Sequence, residues 1–166
     1  MIRLVKLIPA AQLQQPPYTT SDRTSADHTI KDQLVLTFDE RKRSRLRVKS
    51  VNQQDCGIQI SRGQILQHHD VLVSDQEQYF EVIAALEPLM RVENTDPLTF
   101  AKLCYHLGNR HVALQIEENW LQFSSDHVLA EMVVNLGGSV QLLQARFAPE
   151  AGAYARADEH QHDHAH

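Results

Sequence analysis

The chain has 166 residues, of which 42% are hydrophobic and 22% are charged, and its formal net charge is −5 at pH 7. This acidic balance argues against nucleic acid or an anionic membrane as a partner, and no stretch approaches the ~20 apolar residues that span a bilayer. Two cysteines far apart in sequence argue against a disulfide framework, and the first residues lack a secretory signal, so we expect a cytoplasmic protein.

Short alternating segments dominate the first half of the chain. Ile2–Ile8 predicts a strand, Pro9–Gln33 is polar and predicts a loop, and Leu34–Phe38 predicts a second strand. Asp39–Lys42 predicts a turn, and basic side chains alternate along Arg43–Lys49 as they do on a half-buried strand. Further short strands are predicted at Gly57–Ile60, Gln64–Leu66 and Val71–Val73.

Helical spacing appears only in the second half of the chain. Asp96 before Pro97 predicts a helix start, because aspartate caps free backbone N–H groups and proline fits the first helical position. Gly108 is expected to end this helix in the left-handed conformation, and Ser124 or Ser125 is expected to cap a second helix. Strands are predicted at Tyr79–Leu86, His111–Ile116, Trp120–Phe123 and Val140–Phe147.

The order of elements predicts an α+β protein in three parts. Residues 1–76 are expected to form an all-β domain, a small barrel or sandwich of short strands. Residues 77–148 have the order β-α-β-β-α-β, which is typical of a ferredoxin-like domain. Residues 149–166 have no apolar periodicity, so we expect a disordered, histidine-rich tail.

The last seven residues contain four of the ten histidines of the chain. Imidazole is the commonest ligand for borderline divalent metals, and Asp158, Glu159 and Asp163 add oxygen donors. A purification tag is the weaker interpretation, because these histidines are interleaved with other residues. The candidate ligands are His160, His162, His164 and His166.

Three internal histidines are further candidates for metal ligands. His111 opens a predicted strand and points away from the core, where a merely solvated side chain is at least as consistent with the pattern. His106 lies near a helix C-terminus, so helix capping is the alternative to an auxiliary metal role. His127 lies in the first turn of the second helix, where the dipole keeps imidazole neutral, the form that a metal requires.

One chain supplies too few fixed ligands for a closed metal site. Near a two-fold axis, one histidine per chain becomes two imidazoles on one ion, and flexible tails can complete the coordination. Such an open site suits a carrier that transfers its metal. His68 and His69 are expected at a turn and on opposite faces, so that they do not easily share an ion.

A basic run is the best argument for nucleic acid, namely Arg41, Lys42, Arg43 and Arg45. The acidic net charge and the absence of interleaved aromatic residues oppose that interpretation. A docking surface for an acidic protein and protection of a strand edge are the alternatives. No catalytic constellation is present, so we predict no enzyme and no catalytic residue. The alternatives to a metal carrier are a β-domain adaptor that binds protein or RNA through its basic hairpin, and a metal-dependent hydrolase.

The run YHLGNRH, Tyr105–His111, followed by VALQI, resembles the urease accessory metallochaperone family UreE. Other segments resemble the same family in the same order along the chain, and the histidine-rich tail is a frequent family ending. Ala113 stands where many members have proline, and Ser125 replaces a histidine found in some of them. The supporting segments are Leu36–Val48, Ser61–Leu72 and Asp126–Gly138.

The resemblance implies a metallochaperone that binds Ni(II) and supplies it for assembly of the urease active site, with Zn(II) or Cu(II) expected to fit the same ligands. It implies a homodimer in which His111 of both subunits meets at the interface, with His127 as an auxiliary site and the tail recruiting more nickel. It also implies that the N-terminal domain docks the assembly complex, which contains the accessory GTPase and the urease apoprotein.

Overall fold

A computed structural model describes residues 1–14, 30–94 and 96–150 of the chain. The chain forms two compact units, of which the first begins with Met1–Glu87 and the second with Pro88–Leu143. The first unit also contains Gln144–Phe147, and among the described residues the second also contains 148–150. Most of the predicted tail, including its four histidines, lies outside the described residues.

One mixed six-stranded sheet forms the first unit. When the strands are numbered in chain order, they lie side by side as two, six, five, one, four and three, so strands two and three form the edges of the sheet. Strands one and four pair in parallel, as do strands two and six, and the other pairs are antiparallel. The predicted all-β N-terminal region is confirmed. The strands are β1 (Ile2–Ile8), β2 (Ile30–Leu36), β3 (Arg45–Lys49), β4 (Asp55–Gln59), β5 (Val71–Ser74) and β6 (Tyr79–Ala84).

Alternation along these strands places apolar side chains in one core. In β2, for example, Leu34 and Leu36 are buried whereas Val35 between them is half exposed. Apolar area removed from water supplies the main stabilisation of such a sheet. The buried members of this core are Leu4, Leu34, Leu36, Cys56, Ile58, Leu66, Leu72, Phe80 and Val82.

Three local predictions for this half were wrong. β2 begins at Ile30, inside the predicted loop, and Gln64–Leu66 forms no strand although Leu66 is buried. The predicted turn at Asp39–Lys42 is part of a one-turn helix, α1 (Phe38–Arg41). The helix forms because Thr37, directly before it, and Glu40, its third residue, build a capping box. The side chain of Thr37 accepts the backbone N–H of Glu40, and the side chain of Glu40 accepts the backbone N–H of Thr37.

The second unit is a four-stranded sheet with two helices. Strand nine lies between strands seven and eight and is antiparallel to both, so strands seven and eight are parallel with a strand between them. This is the split β-α-β arrangement, and the predicted ferredoxin-like fold is confirmed. The elements are β7 (Leu86–Glu93), α2 (Pro97–Gly108), β8 (Gln115–Ile116), β9 (Trp120–Ser124), α3 (His127–Asn135) and β10 (Val140–Arg146).

The first strand of this fold was assigned wrongly in the sequence. Tyr79–Ala84 is β6, because it pairs with β2 and β5 in the first sheet. The strand that opens the ferredoxin-like unit is β7, which the sequence analysis missed. Its pattern hides it, since Glu87, Pro88 and Arg91 interrupt the apolar alternation.

Aspartate caps both long helices. Asp96 accepts the backbone N–H of Thr99 at 2.9 Å, as predicted. Asp126, rather than either preceding serine, caps α3 and accepts two backbone N–H groups at 2.8 and 3.1 Å. Gly108 is the last residue of α2 and not a left-handed residue beyond it, and Asn109 forms the C-cap.

The two helices and the sheet of this unit enclose a second core. The buried members of the core are Val92, Leu103, Leu107, Leu114, Leu121, Phe123 and Val133.

No helix within residues 1–14, 30–94 and 96–150 is long and apolar enough to cross a membrane.

Candidate metal centre and docking surface

His111 lies in a turn after α2, and not at the start of a strand as predicted. Only Gln115–Ile116 forms a strand in this region, and His111 has a φ of +55°, in the left-handed region. Its backbone N–H donates to the carbonyl of Gly108 at 2.9 Å, and its side chain is exposed. The hydrogen-bonded turn therefore presents the imidazole to solvent from a fixed backbone position.

His106 lies in the last turn of α2 and is also exposed. Its ring contacts that of Tyr105 edge to face, with centroids 5.3 Å apart. Imidazolium is favoured at this end of a helix, so this position fits a capping role as well as an auxiliary ligand.

His127 is the first residue of α3, directly after the cap Asp126, and its side chain is exposed. The predicted position in the first helical turn is therefore confirmed. The carboxylate of Asp126 is engaged by two backbone N–H groups of the helix. His127 is free to extend its ring toward a ligand without disturbing that cap.

No three side chains of His, Cys, Asp or Glu converge into a metal-binding group within the described residues. His106, His111 and His127 therefore do not form a closed site in one chain. The predicted ligands His160, His162, His164 and His166 lie outside the described residues.

Arg41, the first residue of the basic run that was predicted to dock a partner, is buried and not exposed. Its side chain is only 1% exposed, and its guanidinium donates to the backbone carbonyls of Leu66, at 3.0 Å, and of Phe147. Burial lowers the pKa of Arg41, and the nearby carboxylates of Glu87 and Asp70 partly oppose that effect. α1 turns this residue inward, because the capping box makes a helix where a turn was expected.

The other basic residues of the run do lie on the surface. Lys42, Arg43 and Arg45 are exposed, and Arg47 continues the same exposed face along the edge strand β3. A groove of about 400 Å³ follows this face. It is lined in part by Met1, Arg3, Arg45, Arg47, Gly57 and Gln59.

His68 and His69 were expected on opposite faces, and that expectation was wrong. Their rings are stacked with centroids 3.7 Å apart and an angle of 19° between the planes. His69 has a φ of +71°, so the chain turns between them and the alternation of a strand does not apply. No sequence signal marks this conformation, although histidine adopts left-handed backbone more readily than most residues.

Two family models match consecutive parts of the chain. The model described as UreE urease accessory protein, N-terminal domain, matches residues 6–85. The model described as UreE urease accessory protein, C-terminal domain, matches residues 87–166. The family description is that of an accessory protein and not of an enzyme.

Full-length relatives agree with the family models. The chain is 42% identical over 130 residues to the urease accessory protein UreE of Aliivibrio fischeri strain MJ11, covering 78% of this chain and 80% of that protein. It is 44% identical over 121 residues to the UreE of Proteus mirabilis strain HI4320, covering 73% and 75%. It is 36% identical over 144 residues to the UreE of Nitrosospira multiformis, covering 87% and 82%. The chain therefore belongs to the UreE family of urease accessory proteins.

Proposed function

We propose that this protein is a cytoplasmic, nickel-binding metallochaperone that supplies Ni(II) for assembly of the urease active site. The observation that carries the proposal is the exposed imidazole of His111, held by a hydrogen-bonded turn in a member of the UreE family. Imidazole is a good ligand for Ni(II), and an exposed ligand exchanges its metal readily. Zn(II) and Cu(II) are expected to compete for the same nitrogen.

The proposed nickel site is shared by two copies of the chain. Within the described residues of one protomer, His111 belongs to no group of three or more His, Cys, Asp or Glu side chains that could hold a metal ion. In a homodimer with His111 near the two-fold axis, two imidazoles share one ion, and water or other donors complete the coordination. The fixed turn reduces the ordering that binding requires, while the open coordination sphere lets an acceptor displace the remaining ligands.

Further histidines act as auxiliary donors in this proposal. His127 stands free at the start of α3, and His106 stands at the end of α2. The tail histidines collect nickel at high effective concentration, because they are joined to the same chain as His111. The auxiliary donors from the tail are His160, His162, His164 and His166.

Docking to the assembly complex is proposed to occur through the exposed basic residues of the first unit. Lys42, Arg43 and Arg45 form the surface, and the buried Arg41 is excluded from it. Complementary charge steers association and fixes orientation more than it adds affinity. The partners in this proposal are the urease accessory GTPase and, through it, the urease apoprotein.

Calorimetric titration of the full chain with Ni(II) tests the metal site. We expect His111→Ala to remove the tightest binding event, because each protomer loses its contribution to the shared ion. His106→Ala is the matched control, since that histidine is equally exposed on the preceding helix, and it should keep the tightest event. Retention of that event in His111→Ala would contradict the proposed ligand.

Sedimentation velocity at working concentrations tests the shared site. We expect a dimer for the full chain and a ratio of one tightly bound Ni(II) ion to two chains. A strictly monomeric protein that still binds one Ni(II) per chain tightly would show that the site is complete in one protomer, and the two-fold arrangement would be wrong.

A further inference from the structure

The segment between His111 and β8 has little backbone support of its own. β8 has only two residues and is the edge strand beside β9. Among the described residues, 112–114 take part in one hydrogen bond between backbone groups, in which the carbonyl of Leu114 accepts the N–H of Glu150 at 2.8 Å. The stretch that follows the proposed nickel ligand is therefore held by a residue from a distant part of the chain.

Residues 148–150, the clamp segment, lie beside the start of β8. Ala148 donates its backbone N–H to Oε1 of Gln115 at 3.0 Å, and Glu150 donates its own to the carbonyl of Leu114. Pro149 between them has no N–H group. Both backbone donors that the clamp segment possesses are therefore used to hold residues 114 and 115.

A ladder of side chains fixes the amide of Gln115. The guanidinium of Arg91 can only donate, and its Nε and Nη2 atoms lie 3.2 and 2.9 Å from Oε1 of Gln122. Nε2 of Gln122 is then the donor to Oε1 of Gln115, at 2.8 Å. Gln122 is only 1% exposed, so water competes little for these bonds. The oxygen of Gln115 is consequently a fixed acceptor for Ala148.

The ladder crosses three neighbouring strands and begins at a restrained cation. Arg91 belongs to β7, Gln122 to β9 and Gln115 to β8. The guanidinium of Arg91 lies over the ring of Trp120, 4.0 Å from its centroid, and this contact limits its motion. Rotation of the Gln115 amide would break its bonds to both Gln122 and Ala148. The clamp segment is therefore attached to a rigid part of the sheet.

We propose that the clamp segment positions His111, and that Gln115 is the positioning residue through which it acts. The inference rests on the proposed role of His111 as a nickel ligand. The bond from His111 to Gly108 restrains this residue on its N-terminal side, and the contact at Leu114, three residues later, restrains it on the other. An imidazole on a more mobile backbone loses more conformational entropy when it binds an ion. The clamp segment thus supports the nickel site without supplying a proposed ligand.

Nuclear magnetic resonance on the metal-free full chain tests the clamp. ¹⁵N relaxation gives the order parameters of the backbone amides of residues 112–114, which we expect at about 0.85 in the wild type and below about 0.6 in Gln115→Leu. Gln115→Glu should restore the wild-type values, because a carboxylate accepts the N–H groups of both Ala148 and Gln122. Gln141→Leu is the control, since Gln141 is exposed on β10 at the opposite edge of the same sheet.

A second pair of variants removes the other bond of the clamp segment. Glu150→Pro lacks the backbone N–H that binds the carbonyl of Leu114, and it should lower the same order parameters. Glu150→Gln keeps that N–H and should behave as the wild type, so the pair separates the backbone of residue 150 from its carboxylate. Unchanged order parameters in both Gln115→Leu and Glu150→Pro would overturn the proposal.

Calorimetric titration with Ni(II) connects the clamp to metal binding. In a full-length background with the four tail histidines changed to alanine, we expect Gln115→Leu to weaken the tightest event by about tenfold. Gln115→Glu should keep the affinity of that background. Equal affinity in Gln115→Leu and Gln115→Glu would contradict a positioning role. If His111→Ala keeps the tightest event, the proposed nickel ligand is wrong, and the relaxation data still decide whether the clamp orders residues 112–114.

Discussion

At the scale of single residues, context decided what each basic side chain does. Arg41 and Arg45 are four positions apart in one basic run, yet one is buried and the other is exposed. A charge leaves water at a large energetic expense unless hydrogen bonds compensate it. The carbonyls of Leu66 and Phe147 supply that compensation for Arg41. It therefore connects separate parts of the first unit and is unavailable to a partner.

We expect Arg41→Met to lower the free energy of unfolding by about 2–3 kcal/mol, because two buried carbonyls lose their donor. Urea unfolding at pH 7 measures the change. Arg45→Met is the matched control and should stay within about 0.5 kcal/mol of the wild type, since its side chain is exposed. Equal stability of the two variants would mean that the buried hydrogen bonds contribute little.

At the scale of elements, the ends of the helices and turns shape the candidate sites. The chain leaves α2 through Asn109 and reverses at His111, whose positive φ is uncommon for a residue other than glycine. The same kind of turn places His69 against His68. In both cases a histidine with a left-handed backbone conformation has a solvent-exposed side chain.

Two glycines beside these helices should respond to alanine in opposite ways. A Cβ atom at Gly138 would lie 2.7 Å from Cγ1 of the buried Val133 and 3.3 Å from Cδ1 of Leu103, whereas a Cβ at Gly108 would meet nothing within 4 Å. Gly138→Ala should therefore lower the free energy of unfolding by about 1–3 kcal/mol. Gly108→Ala should raise it by about 0.5–1 kcal/mol, because alanine loses less backbone entropy in a helix.

Thermal unfolding followed by circular dichroism measures both glycine changes. A stable Gly138→Ala protein would show that Val133 and Leu103 move aside easily. A destabilised Gly108→Ala protein would show that this position needs a conformation that only glycine adopts.

At the scale of the whole molecule, the proposed cargo site and the proposed docking surface belong to different units. His106, His111 and His127 lie in the second unit, whereas Lys42, Arg43 and Arg45 lie in the first. Charge on a docking surface changes association with a partner, and it has little influence on an imidazole ligand elsewhere. The two activities are therefore expected to separate on mutation.

Reversal of charge on the docking surface should reduce urease activation without changing nickel affinity. We expect Arg45→Glu, in a reconstitution with the accessory GTPase and apo-urease, to lower activation by about tenfold at low salt. Lys31→Glu reverses one exposed charge on β2, at the opposite edge of the same sheet, and should have no effect. A loss that is equal in both variants would assign the effect to net charge and not to the surface.

Much of the fold was predictable from local sequence, for identifiable reasons. Asp96-Pro97 fixed the start of α2, because a cap and a proline act on the nearest backbone groups alone. Strict alternation in β3 and apolar spacing in α3 were equally local signals. β7 was not predicted, because Glu87, Pro88 and Arg91 interrupt its apolar alternation. In the folded protein its pairing with β9, a strand distant in sequence, makes this segment a strand.

The candidate site was predictable in its residue types and only partly in its geometry. The sequence by itself indicated the family, through the run Tyr105–His111, and it indicated the two long helices, most of the strands and the supply of imidazole donors. It could do so because motifs, caps and periodicity are properties of neighbouring residues. Only the tertiary structure decided that Arg41 is buried, that His69 stacks on His68, and that His111 stands in a left-handed turn. The first two depend on contacts with residues distant in sequence, namely Phe147 for Arg41 and Glu81 for His69. The turn at His111 closes locally on Gly108, but no residue type in it indicates the left-handed backbone.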